Sequence, residues 1–194
     1  MRKIFLLTSA VAAFFSLTAC SITDPVEGED TDLLFQSEME KPLEGAVSIH
    51  TIINFPQKND KELQVNDFYS SQKVTVEKTP WLTSLEIKDI IPVERPVSTR
   101  GIYDLKLVLT EKGIRQWNAI VKADTPQKTF AFLVDGDFYT AFDPRRIYQA
   151  GSNEVVLEGP FDKILTEKLY RRAPLNYLRL RRELEKKQKP SAKH

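Results

Sequence analysis

Tyr103–Phe142 reads YDLKLVLTEKGIRQWNAIVKADTPQKTFAFLVDGDFYTAF, and its apolar period changes twice. Tyr103, Leu105, Leu107 and Leu109 alternate with Asp104, Lys106 and Thr110, the period of a half-buried strand. At Thr110 the spacing becomes helical: Ile114, Trp117, Ile120 and Val121 share one face. The Thr110 hydroxyl can accept from a free amide of the first turn, and Glu111 suits the positive end of the helix dipole. Pro126 ends the helix, predicted over Thr110–Ala123. Two short runs follow, TFAFLV and DFYTAF, joined at Asp135-Gly136, which tolerates the positive φ angles of a tight hairpin. The unit is strand, helix, hairpin.

Upstream, Ala46–Phe55 predicts a strand with Ile49, Thr51, Ile53 and Phe55 on one side and His50 on the other. Pro56–Lys61 is a loop. Leu63–Tyr69 stays open between a short helix and a turn at Asn66-Asp67, and Lys73–Lys78 reads as a strand. Thr83 and Glu86 match a capping box, which predicts a helical turn over Thr83–Ile87. Pro92 and Pro96 forbid a long helix, so a strand at Asp89–Glu94 lies on a sheet edge or carries a bulge. Ser98–Gly101 turns into the central unit. Downstream, Asp143–Arg146 is a loop or a single helical turn, and Asn153–Leu157 is a strand. Pro160 suits a helix start, with Phe161, Ile164, Leu165 and Leu169 on the apolar face of a helix over Pro160–Arg172. Pro174 is expected to break it, leaving Asn176–Gln188 as a separate basic helix that frays into KPSAKH.

At this point the motifs resemble a known family. The string L-x-LTEKG-x-x-x-W, then AFLVDGDFYTAF, then the segment GSNEVVLEGPF beginning at Gly151, is similar to the periplasmic head of SecD, an accessory subunit of the export translocon. That family runs strand, LT-x-x-G, helix, hydrophobic strand ending in LDG, second hairpin strand, and an I-x-G-x-F strand leading into a helix. Leu109-Thr110, Gly113, Leu133, Asp135-Gly136, Gly159 and Phe161 occupy those positions here. TPWLTSLEI at Thr79–Ile87 resembles the family's LT-x-x-D-I, with Glu86 in place of Asp. The resemblance implies a head-like fold and contact with a translocating polypeptide. SecD itself has several membrane spans that couple export to proton flow; beyond its start this sequence has no long apolar run, so the motor is not expected here.

The ends carry other signals. Met1–Ala19 has Arg2 and Lys3, a short apolar stretch over Ile4–Phe15, and then Leu17-Thr18-Ala19-Cys20, which resembles a bacterial lipobox. Cys20 is the one cysteine of the chain, and it is predicted to be the lipidated N-terminus of the mature protein, anchoring it to a membrane. Ser21 after the cysteine resembles an outer-membrane sorting signal of bacteria with two membranes, which would leave the protein facing the periplasm. Residues 20–45 are acidic and read as a flexible tether. The predicted organisation is signal 1–19, anchor and tether 20–45, domain 46–174 and basic tail 175–194.

Chemistry is sparse. The 194 residues carry a net charge of +1, so there is no global nucleic-acid signature, and no nucleic-acid partner is expected. No phosphate loop, metal-ligand spacing, Cys–His pair or GxSxG is present, so no cofactor, metal or catalytic residue is predicted. His50 lacks a neighbouring ligand and reads as a surface or satisfied residue. Asp135, Asp137 and Asp143 form one carboxylate cluster, whose first reading is turn chemistry. Trp117, Phe130, Phe132, Phe138 and Phe142 read as core, whereas Tyr139 is a candidate contact on the hairpin's outer side.

The fold class expected is α+β, an antiparallel or mixed sheet with two helices packed on one face. The function expected is a non-enzymatic, lipid-anchored envelope protein that binds an exported polypeptide or another envelope protein, with Tyr139 and the tail residues Arg179, Arg181 and Arg182 as contact candidates. Two alternatives stay open: an envelope hydrolase using the Asp135–Asp143 region, and a structural tether whose basic tail grips an anionic surface.

Overall fold

The computed structural model describes residues 43–95, 101–122, 129–149 and 151–188. The signal segment, Cys20, the tether up to residue 42, Pro96, the start of the Ser98–Gly101 turn, Ala123, Pro126 and the KPSAKH tail lie outside these residues. The strands are β1 (Val47–Thr51), β2 (Glu62–Asn66), β3 (Lys73–Glu77), β4 (Leu82–Thr83), β5 (Ile87–Glu94), β6 (Ile102–Leu109), β7 (Phe130–Val134), β8 (Asp137–Phe142), β9 (Tyr148–Gln149) and β10 (Glu154–Asp162). The helices are α1 (Glu111–Lys122) and α2 (Lys163–Gln188), with one 3-10 turn at Pro144–Arg146.

The class is α+β, with antiparallel sheets and two helices, as expected. The strands divide between a four-stranded sheet β4-β1-β7-β8, a second four-stranded sheet β5-β6-β10-β9, and the hairpin β2-β3. The alternation of β6 places Leu105, Leu107 and Leu109 on one buried face, with Leu105 opposite Leu157 and Pro92, and Leu107 opposite Val155 and Ile90. The two larger sheets share one core: Phe132 of β7 meets Phe161 of β10 edge-on, ring centroids 5.9 Å apart. Pro92 is accommodated because β5 is an edge strand.

Local chemistry sets the joints. The helical turn expected over Thr83–Ile87 is a tight turn between β4 and β5 instead: the Thr83 amide and hydroxyl donate to Glu86 Oε2 at 2.9 and 2.7 Å, and the Glu86 amide returns to the Thr83 carbonyl at 2.9 Å. The Thr110 hydroxyl oxygen accepts from the Gly113 amide at 3.0 Å, capping α1. Asp135 and Gly136 adopt φ of 53° and 90°, the left-handed pair that a two-residue hairpin requires. Trp117 and Ile120 are buried, and Trp117 stacks on Phe142 at 6.0 Å.

Several expectations are corrected. Leu63–Tyr69 begins as strand rather than helix: β2 pairs with β3, and Val65 and Val76 cover Ala131 and Leu133 on the outer face of β7. His50, by contrast, lies on the side expected and is a satisfied residue: buried, its Nδ1 donates to the Glu77 carbonyl (2.7 Å) and its Nε2 accepts from the Ser48 hydroxyl (2.9 Å). β1 stops at Thr51, and Phe55 is exposed, because the chain leaves sheet pairing there for the Pro56 loop. Pro160 lies in β10, not at a helix start: the register shifts between Leu157 and Phe161, and such a bulge tolerates a residue without an amide hydrogen. Asp162 starts α2 instead, its Oδ1 accepting from the Leu165 amide at 2.9 Å.

Pro174 does not end the helix. It lies inside α2, which runs unbroken to Gln188. A proline there removes one backbone bond, a loss of about 3 kcal/mol. Burial on both sides offsets it: Leu165, Leu169 and Ala173 pack into the core before it, and Asn176 is buried after it. Asn176 Nδ2 donates to the Glu44 carbonyl at 2.9 Å, and Arg172 pairs with the Glu44 carboxylate at 3.2 Å. The last residues of the expected tether, from Leu43 to Gly45, therefore meet the domain rather than hanging from it.

Candidate functional site

The bulge that re-aims Tyr139 begins the site. Phe132 pairs with Thr140 and Leu133 with Phe138, so Tyr139 is the extra residue of β8. A bulge of this kind bends an edge strand and redirects one side chain. β8 is an outer strand of its sheet.

The turn after β2 supplies the other half. Asp67 folds it by accepting from the Tyr69 amide (2.9 Å) and the Ser70 hydroxyl (2.8 Å). Both bonds hold its carboxyl below the usual range, the Ser70 bond more strongly. The Phe68 amide then donates to the Phe138 carbonyl at 2.9 Å, fastening the turn to the outer edge of β8. Phe68 stacks on Tyr139, ring centroids 4.4 Å apart and planes 18° from parallel. Tyr69 stands nearly perpendicular to both, at 5.2 Å from Phe68 and 5.8 Å from Tyr139. Phe68 is 53% and Tyr69 58% exposed, so two fixed aromatic side chains present much of their surface to solvent.

Beside this trio lies a cleft of about 380 Å³. Tyr69, from the turn after β2, and Tyr139 and Thr140 of β8 line it together with Ile102 of β6 and Pro160, Phe161 and Asp162 of β10. The cleft thus joins the outer strand of one sheet to the β6 and β10 ends of the second. Its electrostatics are negative. Burial first, then Tyr69, Asp135, Asp137 and Asp162, push the Tyr139 hydroxyl up to about 12. Burial, Asp162 and Asp67 raise Tyr69.

Tyr139 is half-buried and packs against the main core at the sheet edge, whereas Phe138, read as core, packs with Ala131 and Leu133 on the outer face; the bulge exchanges the sides expected of the two rings. Phe68 and Tyr69 were missed. The one signal for them was a pair of adjacent aromatics directly after an Asn-Asp turn, where a core role is unusual. The carboxylate cluster serves turns. Asp135 accepts from the Ala46 amide at 2.9 Å and pairs with Lys168 at 2.7 Å. Asp143 caps the 3-10 turn through the Arg145 amide and pairs with the Arg145 guanidinium, which holds its carboxyl low. Among the described residues no group of three or more His, Cys, Asp or Glu is arranged to hold a metal ion. The tail arginines do not line the aromatic cleft. Arg179 pairs with Glu183 at 3.2 Å, Arg181 with Glu185 at 3.0 Å, and Arg182 is likewise engaged. No helix among the described residues is long and apolar enough to cross a membrane.

No family model matches the chain, and no curated protein matches it. Two solved structures are similar to it. One is of SecDF, described as a membrane component that enhances protein export; it is 15% identical, with a TM-score of 0.47 over 78% of this chain and 71% of that one. The other is SecDF in a super-membrane-facing form, 16% identical, with a TM-score of 0.45 over 77% of this chain and 21% of that one, so this chain spans about a fifth of its length.

Proposed function

We propose that this chain is a lipid-anchored protein of the bacterial cell envelope whose domain holds a polypeptide segment without altering it chemically, in the service of protein export. The observation that carries this reading is the aromatic trio at the outer edge of β8, with Phe68 and Tyr69 exposed and held on a half-buried Tyr139. Rigid aromatic rings offer large contact area at small loss of side-chain freedom. An adjacent strand edge offers backbone hydrogen bonds to an extended chain. The motifs around Gly113, Asp135-Gly136 and Gly159, which resemble the SecD head, support a polypeptide as the occupant. The Leu17–Cys20 lipobox supports the anchor, with Cys20 the lipidated residue and the outer membrane the expected site.

The test is photo-crosslinking in intact cells with a photo-reactive residue at Thr140. Crosslinks to polypeptides are expected, lost when Phe68 and Tyr69 are both changed to Ala. Capture of lipid alone, or polypeptide capture that ignores both rings, overturns the reading. Separately, Cys20→Ser should abolish acyl labelling and leave precursor unprocessed; unchanged processing and membrane attachment refute the anchor.

A further inference from the structure

The cleft pairs aromatic faces with carboxylates. Tyr69 and Tyr139 meet at 82° across 5.8 Å, so one ring's face adjoins the other's edge. Asp162 also lines the cleft, and one of its oxygens accepts from the Leu165 amide. Asp67, Asp137 and Asp162 are near enough to act on one or both tyrosine hydroxyls. The neighbouring lysines have partners of their own: Lys168 pairs with Asp135 at 2.7 Å, and Lys163 faces Glu167 at 3.7 Å. Between the polar ends the lining is apolar, formed by Ile102, Pro160 and Phe161.

We infer that the cleft receives one lysine or arginine side chain of the bound polypeptide, its stem along Ile102, Pro160 and Phe161 and its charge between the tyrosine rings and Asp162. The inference rests on the polypeptide-binding reading and adds the residue class that the site selects. Long basic side chains bury an apolar stem while keeping the charged head polar. A cation over an aromatic face is attracted by the ring quadrupole, more strongly as water is excluded. A glutamate in the same place meets like charge, and a purely apolar chain leaves the Asp162 side of the cleft without a partner.

The test uses the full chain in detergent and four short fluorescent peptides, identical except for Lys, Arg, norleucine or Glu at the centre. Anisotropy titrations should show the Lys and Arg peptides binding about tenfold tighter than norleucine, with Glu weakest and the advantage shrinking as salt rises. Asp162→Asn keeps an oxygen to cap α2, so the fold is retained while the charge goes; it should erase most of the preference. Tyr69→Leu should weaken Lys and Arg binding more than norleucine binding. Equal binding of all four peptides overturns the cationic selection and leaves polypeptide binding standing. A preference that survives both variants overturns its placement in this cleft. Failure of every peptide to bind overturns both readings.

Discussion

Gly113 of α1 lies directly against the backbone of Glu86: a β-carbon at Gly113 would stand 2.6 Å from the Glu86 carbonyl oxygen and 3.2 Å from its Cβ. The same carbonyl accepts from the Thr110 amide at 2.8 Å, so it cannot retreat without loosening the start of the helix. In a free helix Gly→Ala stabilises by about 1 kcal/mol. Here the clash with backbone outweighs that gain. Gly113→Ala should lower unfolding stability by about 1–3 kcal/mol in urea melts. An unchanged or raised midpoint would show that α1 can move away from the β4–β5 turn.

Two buried groups give stability an acid dependence in separate windows. Burial lowers the His50 imidazole below its ordinary 6.5, outweighing the Glu77 carbonyl bond that favours its charged form. A depressed value means the unfolded chain binds the proton first, so this contribution is intact above pH 6.5 and is lost as pH falls through the folded value. Burial pushes the Glu86 carboxyl up, but its bonds from Lys112 and Thr83 together hold it below its ordinary 4.5. Its contribution is intact above pH 4.5 and is lost as pH falls further. Urea melts from pH 8 to about 3 should show both declines, with His50→Gln removing the upper and Glu86→Gln the lower. A stability flat across both windows would refute the assignment.

What was legible in the sequence was local. The leucines at 105, 107 and 109, the Thr110 cap and the Asp135-Gly136 turn each state their conformation within a few residues, and each forms as read; the Thr83–Glu86 pair closes a turn between two strands rather than a helical turn. Both prolines were misread for the opposite reason. Pro160 is absorbed by a bulge set by β6, and Pro174 is carried by a helix held on the core at one side and on Glu44 at the other. Tyr139 was legible as a hairpin aromatic, but its side was not, because the bulge in β8 turns it toward the main core. Its partners were not, because Phe68 reaches it through a hydrogen bond to Phe138 in a distant strand. No period or turn rule reports such a contact.

Trp117 is 3% exposed and stacks on Phe142, with Ile120 beside it in the core. Trp117→Ala should therefore lose about 3–5 kcal/mol in denaturant melts. A loss near zero would return this side chain to the list of contact residues.

Pro174 has no amide hydrogen to give the Tyr170 carbonyl one turn earlier, yet the helix continues through it. Pro174→Ala restores that donor within an unbroken helix. Stability should rise, by up to about 3 kcal/mol, the helix penalty of proline relative to alanine. The expected reading is a higher thermal midpoint with more helical circular dichroism. A lower midpoint would show that Pro174 contributes packing that alanine cannot replace.

Asn176 decides where the domain ends. It is 5% exposed, and its side-chain amide donates to the Glu44 carbonyl, tying the second half of α2 to the strand-side approach of β1. Two turns on, the character of the helix changes: Leu184 is 41% exposed, and Arg181 and Glu185 pair with each other in solvent. Exposed pairs of this kind are screened by water and contribute little to stability. Leu180 still reaches the body of the domain, lining a shallow cleft with Ala46, Ser84 and Gly136. Two truncations separate these segments. A chain ending at Leu180 should keep its unfolding midpoint close to that of the full chain. A chain ending at Ala173 should lose the Asn176 bond and the packing beside it, a drop of at least about 0.5–1.5 kcal/mol, the net contribution of one hydrogen bond. Asn176→Ala in the full chain should reproduce part of that drop without shortening the helix. Equal stability of both truncations would place the boundary back at Pro174 and make everything beyond it an appendage.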